Sequence, residues 1–122
     1  MTMRVSNKKC RDCVQARQPF VASNIYGKFT DGNTFVVYSY GEHWPLFVHS
    51  EGVWFENEDS CSATTAKHKT QAHPHRTTIL LSLHWMKQLA VGGYKSIAKE
   101  RILQGEPAWV RTITCQYVHH AM

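Results

Sequence analysis

The chain is poor in most of the features that reveal a function. No apolar run approaches the roughly 20 residues that a membrane span requires. The basic start, MTMRVSNKKCRDC, lacks the apolar stretch of a signal peptide. Both absences lead us to expect a soluble, intracellular protein that makes no use of a membrane. Cysteine is scarce, with four in 122 residues: Cys10, Cys13, Cys61 and Cys115. A chain of this length can bury a core without covalent staples, so reduced thiols are expected rather than two disulfides. No internal repeat, low-complexity tract, or complete catalytic or cofactor motif is present. Acidic residues are also few, nine against 14 Lys and Arg, for a net charge of +5.

The charge that is present is segregated. Five carboxylates (Glu42, Glu51, Glu56, Glu58, Asp59) fall between 42 and 59, with no Lys or Arg among them. The first 28 residues carry six basic side chains and one acidic; from Ser62 onward there are eight basic and two acidic. Basic ends flanking an acidic centre suit phosphate groups or an acidic protein surface; they are equally the pattern of an ordinary solvated surface.

The pattern of residues predicts an α+β fold in one domain, 19–122, preceded by a basic polar arm, 1–18. Phe20 to Phe29 is expected as a first strand. Asp31-Gly32-Asn33 is a hairpin turn, because these residues tolerate positive φ. Thr34 to Tyr40 is dense in β-branched and aromatic side chains and forms the second strand. Trp44 to His49 is the third, with Pro45 at its start or on an edge. Ser50-Glu51-Gly52 turns the chain into a fourth, Val53 to Glu56. The result is an antiparallel β-meander. A polar crossover follows, with a short helix over Ala66 to Ala72 capped by Ser62 or Thr64, then a brief apolar run from Thr77 to Leu81. Two helices come next: Leu83 to Val91, capped by Ser82 with Leu83, Met86, Leu89 and Ala90 on one face, and Tyr94 to Leu103. Gly92-Gly93 divides them. Trp109 to Val118 alternates and is expected as a C-terminal strand.

Three groups of residues bear on chemistry. Thr64 to Arg76 is the densest run of donors. Placed on a helix, Thr64, His68 and Gln71 share a face flanked by Lys67, Lys69 and Thr70. Lys and Thr reach phosphate oxygens and Gln reads adenine, so Lys67, His68, Lys69, Gln71 and Arg76 are candidate nucleic-acid contacts, joined by Arg4, Lys8, Lys9 and Arg11 of the arm. Second, Cys10 and Cys13 form a C-x-x-C pair that supplies two of the four ligands of a structural zinc site; His68, His73, His75 and Cys61 are the residues that would complete it. No cofactor is otherwise expected. Third, Trp44, Trp54, Glu56, Glu58 and Asp59 make an acidic–aromatic surface complementary to a protein with a basic groove. The paired helices superficially match a helix-turn-helix, but Glu100 interrupts the basic face, and core packing is the expectation. No catalytic residues are nominated. Glu42 with His43 and Glu51 with His49 could form acid–base pairs, but neither sits in a recognisable catalytic frame, and the adjacent Glu42 and His43 would point to opposite faces of a strand.

The stretches YSYGEHWPLFV, GVWFEN and SATTAKHKTQAHP resemble a group of short proteins of bacterial viruses. That group shares a Tyr-Ser-Tyr-Gly-x-His-x-Pro-Leu core, a Trp-Phe-x-Asn turn and a Ser-x-Thr-Thr-x-Lys-His-x-x-Gln-x-x-Pro segment. The resemblance spans about Phe35 to Pro74; the arm and the HWMKQLAVGG stretch lie outside it. It implies a small α+β viral accessory protein in the host cytoplasm and transfers no catalytic residues. The working expectation is therefore binding rather than catalysis, with a nucleic acid or a host nucleic-acid-handling complex as partner. The alternatives are an anti-CRISPR-like inhibitor of a bacterial defence system and a small zinc-binding module. Exposed aromatics on a sheet edge would permit a dimer.

Overall fold

A computed structural model describes residues 2–59 and 62–104, with 94–104 described through the backbone alone. Seven strands form one sheet in chain order: β1 Met3–Arg4, β2 Phe20–Val21, β3 Ile25–Phe29, β4 Phe35–Ser39, β5 Pro45–Ser50, β6 Val53–Asn57 and β7 Thr78–Leu81. Helices α1 (Cys10–Ala16), α2 (Ala63–Ala72) and α3 (Leu83–Gln104) complete the described residues, with a 3-10 turn at Asn7–Lys9. The α+β class expected from the sequence is the one found. The expected C-terminal strand, Trp109 to Val118, lies outside the described residues.

The centre of the sheet is the antiparallel meander β2 to β6; the two outer pairs, β1 with β2 and β6 with β7, are parallel. Each parallel pair needs a crossover, and each crossover carries a helix. Strands β2 and β6 are separated by four antiparallel steps and so point the same way. The crossovers also step across the sheet in the same sense. One shared handedness therefore places α1 and α2 on the same face.

That face is built from Cys10, Cys13 and Val14 of α1 and Ala72 of α2, packed with Phe20, Ile25, Phe35, Val37, Phe47 and Trp54 of the strands. The opposite face packs Val36, Tyr38, Val48 and Phe55 against Met86, Leu89 and Ala90 of α3. Covered on both sides, β4 is buried along its whole length, which explains its run of apolar residues without polar alternation. A register shift between Val37 and Tyr38 skips Leu46 on β5. Leu46 and its neighbour Phe47 consequently join the same core cluster, as a bulge allows.

Several local expectations hold. Pro45 opens β5. Glu51 and Gly52 both take positive φ, 53° and 76°, in the β5–β6 hairpin. The long helix breaks at Gly93, with φ 71° and ψ −177°. Others change. Phe20 to Phe29 is two strands folded back on each other, with Asn24 at φ 62° in the turn. The 1–18 segment is not a polar arm: it supplies an edge strand and a helix whose Cys10 and Val14 are fully buried. Apolar side chains at 10, 13 and 14 form a helical i, i+3, i+4 stripe, and the charged residues between them concealed it. The α3 N-terminus is held by Asp59, whose carboxylate accepts the Leu83 N–H at 2.8 Å.

Gly27 sits where β2, β3 and β4 crowd. A Cβ there would lie 2.6 Å from Phe20 Cε1 and 2.8 Å from Phe35 Cζ. Gly27→Ala is expected to cost about 1–3 kcal/mol in urea unfolding. Gly32→Ala, with open space around it, should stay within about 0.5 kcal/mol. Equal effects would contradict this packing.

Candidate functional site

Helix α2 is nearly free of apolar residues, yet it has a buried face. Ser62 caps it, accepting the Thr65 N–H at 3.2 Å. Thr65, His68 and Ala72, spaced i, i+3, i+7, are the buried positions. His68 Nδ1 and Ser39 Oγ are 2.8 Å apart, both side chains buried, and the His68 ring leans on Tyr40. Burial, and then the charge of Lys67, lowers the His68 pKa, so the ring stays neutral at physiological pH.

The C-terminal end of α2 carries a polar network. Glu56 Oε1 accepts the Thr78 hydroxyl at 2.8 Å and lies 3.1 Å from His73 Nε2. His73 Nδ1 accepts the His75 N–H at 3.0 Å, which leaves the ring proton on Nε2, facing the carboxylate. Both ring nitrogens are thus in use. Lys69 Nζ donates to the Asn57 carbonyl at 2.6 Å and stands 3.5 Å from Glu56 Oε2. From α1, the Arg11 guanidinium donates to the carbonyls of Thr70 at 2.6 Å and His73 at 2.8 Å, while Gln15 Nε2 reaches the Pro74 carbonyl at 2.9 Å. These bonds satisfy helix-terminal carbonyls that would otherwise lack partners.

The expected nucleic-acid contacts therefore divide into two sets. His68, Lys69 and Arg11 are engaged inside the fold. Gln71 is half-buried, and its Oε1 has no partner. Lys8, Lys9, Lys67 and Arg76 are exposed, and among the described residues none of their side chains has a hydrogen-bond or ion-pair partner. Of the face expected to make contacts, Thr64 is exposed, Gln71 half-buried and His68 buried; a helix with so few apolar side chains gives periodicity little to mark.

Much of the acidic–aromatic set is also spent internally. Trp54 is buried edge-to-face against His49, Glu56 serves the network above, and Asp59 caps α3. Glu58 remains exposed and Trp44 half-exposed. Glu42 pairs with Lys28. The C-x-x-C pair lies in the core, where Cys10 Sγ faces the Gln71 carbonyl. Burial, reinforced by Cys13, pushes the Cys10 thiol up to about 11, and burial raises Cys13 too. Among the described residues, no group of three or more His, Cys, Asp or Glu is arranged to hold a metal; Cys61 lies outside them.

The structure adds one residue that the sequence did not single out, Arg17. Arg17 ends α1 in the left-handed conformation, φ 52° and ψ 44°. It lines a cleft of about 450 Å³ with His49, Val53, Trp54, Arg76 and Thr77. Arg17 and Arg76 are far apart in the chain, and no spacing rule joins them; His49 was weighed only as a partner for Glu51. Burial and then the Arg17 charge lower the His49 pKa to about 4.

Removing the Arg11 bonds by Arg11→Met should cost about 1–3 kcal/mol in urea unfolding. No measurable loss would mean that the α1–α2 tie is not formed in solution. His49 and His68 both have folded pKa values below the unfolded one, near 6.5. The unfolded chain therefore binds protons first as pH falls, and stability is lost from about pH 6.5 downward. The difference in urea midpoint between pH 7.5 and pH 5 should shrink in His49→Phe; an unchanged difference would contradict the buried, neutral His49.

No protein-family model matches the chain, and neither a curated protein nor a solved structure matches it.

Proposed function

We propose that this protein acts by binding rather than catalysis, through the α1/α2 layer, on nucleic acid or on a host nucleic-acid-handling complex. In this reading it is an accessory protein of a bacterial virus at work in the host cytoplasm. The observation that carries the reading is the distribution of unpaired charge. Lys8, Lys9, Arg17, Lys67 and Arg76 are exposed on or beside that layer, and none is paired among the described residues. Asp12 is the one carboxylate within 7–17 and 62–77. Cations without internal partners keep their full attraction for phosphates and release counterions on binding. The binding reading also fits the histidines of this layer: His73 has both nitrogens engaged, and His68 is buried with its serine.

The test is oligonucleotide affinity against salt. Affinity for DNA or RNA should fall steeply as salt rises. The triple variant Lys8→Gln, Lys9→Gln, Lys67→Gln should lower the log–log salt slope by about 3, roughly one per cation removed. No binding to either nucleic acid at low salt would end the direct-contact form of the proposal. A nuclease-treated pull-down that still retains a host protein would then point to the complex instead.

A further inference from the structure

The cleft at the end of the sheet has a more specific chemistry than the layer around it. It is closed by the C-cap of α1, the β5–β6 turn and the start of β7. Its volume, about 450 Å³, falls in the range of small-molecule sites. Two exposed guanidiniums, Arg17 and Arg76, line it with no carboxylate among its lining residues. Among the described residues neither guanidinium has a hydrogen-bond or ion-pair partner. Trp54 supplies an apolar wall, with the His49 ring edge-on to it at 5.0 Å between centroids. Thr77 adds a hydroxyl.

From this arrangement we propose that the cleft is a binding site for a phosphate monoester, carried by a nucleotide or by the end of a nucleic-acid strand. A monoester bears close to two negative charges at neutral pH, which match two guanidiniums one for one. A diester inside a strand bears one, as does a carboxylate. Guanidinium forks also fit phosphate oxygens in pairs. His49 is uncharged at neutral pH, so it adds a polar ring without a third cation. The site deepens the nucleic-acid reading above by giving that surface a fixed anchoring point, yet it fails or survives separately, because Lys8, Lys9 and Lys67 do not line it.

The experiment titrates the full chain with inorganic phosphate, a nucleoside 5′-monophosphate, the matching nucleoside, and a short single strand with either a 5′-phosphate or a 5′-hydroxyl. The monophosphate should bind at least about tenfold tighter than the nucleoside, the scale of one charge-assisted bond. Inorganic phosphate should compete with it. Arg76→Gln and Arg17→Gln should each abolish the preference. Thermal melts check folding, and if Arg17→Gln, at its left-handed position, melts early, Arg76→Gln alone carries the test. A matching preference for the 5′-phosphorylated strand assigns the strand end as the source; its absence, with monophosphate binding intact, assigns a free nucleotide. Monophosphate binding with no oligonucleotide binding at all supports the cleft and sinks the direct-contact form of the nucleic-acid reading. Equal affinity for monophosphate and nucleoside, or a preference that survives in Arg76→Gln, overturns the proposal.

Discussion

The Arg11 guanidinium, donating to the carbonyls of Thr70 and His73, joins the two helices of one layer into a single unit. Two things depend on it. Helix α1 is two turns long and would not persist alone in water, so its Cys10, Cys13 and Val14 cover Phe20, Phe35 and Phe47 only while something holds it in place. Helix α2 has one buried apolar side chain, Ala72, and is held by polar contacts: Ser39 with His68, Lys69 with Asn57, and Arg11 at its end. The layer is thus held largely by polar bonds over a conventional aromatic core. The two Arg11 bonds, one of them exposed to solvent, together contribute about 1–3 kcal/mol.

The same arrangement sorts the charges. One handedness for both crossovers brings α1 and α2 to a common face, and the two crossover segments carry Lys8, Lys9, Arg11 and Arg17 in the first and Lys67, Lys69 and Arg76 in the second. The cations needed for structure, Arg11 and Lys69, turn inward to carbonyls and to Glu56. Those left over, Lys8, Lys9, Lys67, Arg17 and Arg76, stay in water without partners among the described residues. The acidic centre of the sequence does not face them as a second surface; Glu56 and Asp59 are drawn into the network and the α3 cap. The exposed cations of the two crossovers therefore lie on or beside the α1/α2 layer.

The meander was legible because its signals are local. Glu51-Gly52 and Pro45 act through backbone geometry within a few residues, and the structure places them where that geometry requires. The Asp31-Gly32-Asn33 turn also forms, but without positive φ, its Asp31 carboxylate accepting the Asn33 and Thr34 N–H groups instead. The cap at Ser62 and the break at Gly93 were legible for the same reason. Helix α1 was not, since its stripe is three residues long and interrupted by Arg11 and Asp12. Nor was the inward face of α2, where His68 rather than an aliphatic side chain faces the sheet. The Arg17–Arg76 cleft depends on bringing the end of α1 beside β7, a contact between distant segments that no pattern along the chain encodes. The basic segments were legible, but which of their side chains stay free was not: Lys8, Lys9, Lys67 and Arg76 face solvent, while His68, Lys69 and Arg11 are used by the fold.

The central claim is that the α1/α2 layer is the contact surface. The most direct measurement is a nitrogen-labelled chemical-shift titration of the full chain with a short oligonucleotide at low salt. The account predicts shifts concentrated at Lys8, Lys9, Arg17, Lys67 and Arg76, with Met86 and Leu89 on the opposite face unmoved. Shifts centred instead on Lys28, Glu42 and Lys87, or no shifts at all, would contradict it.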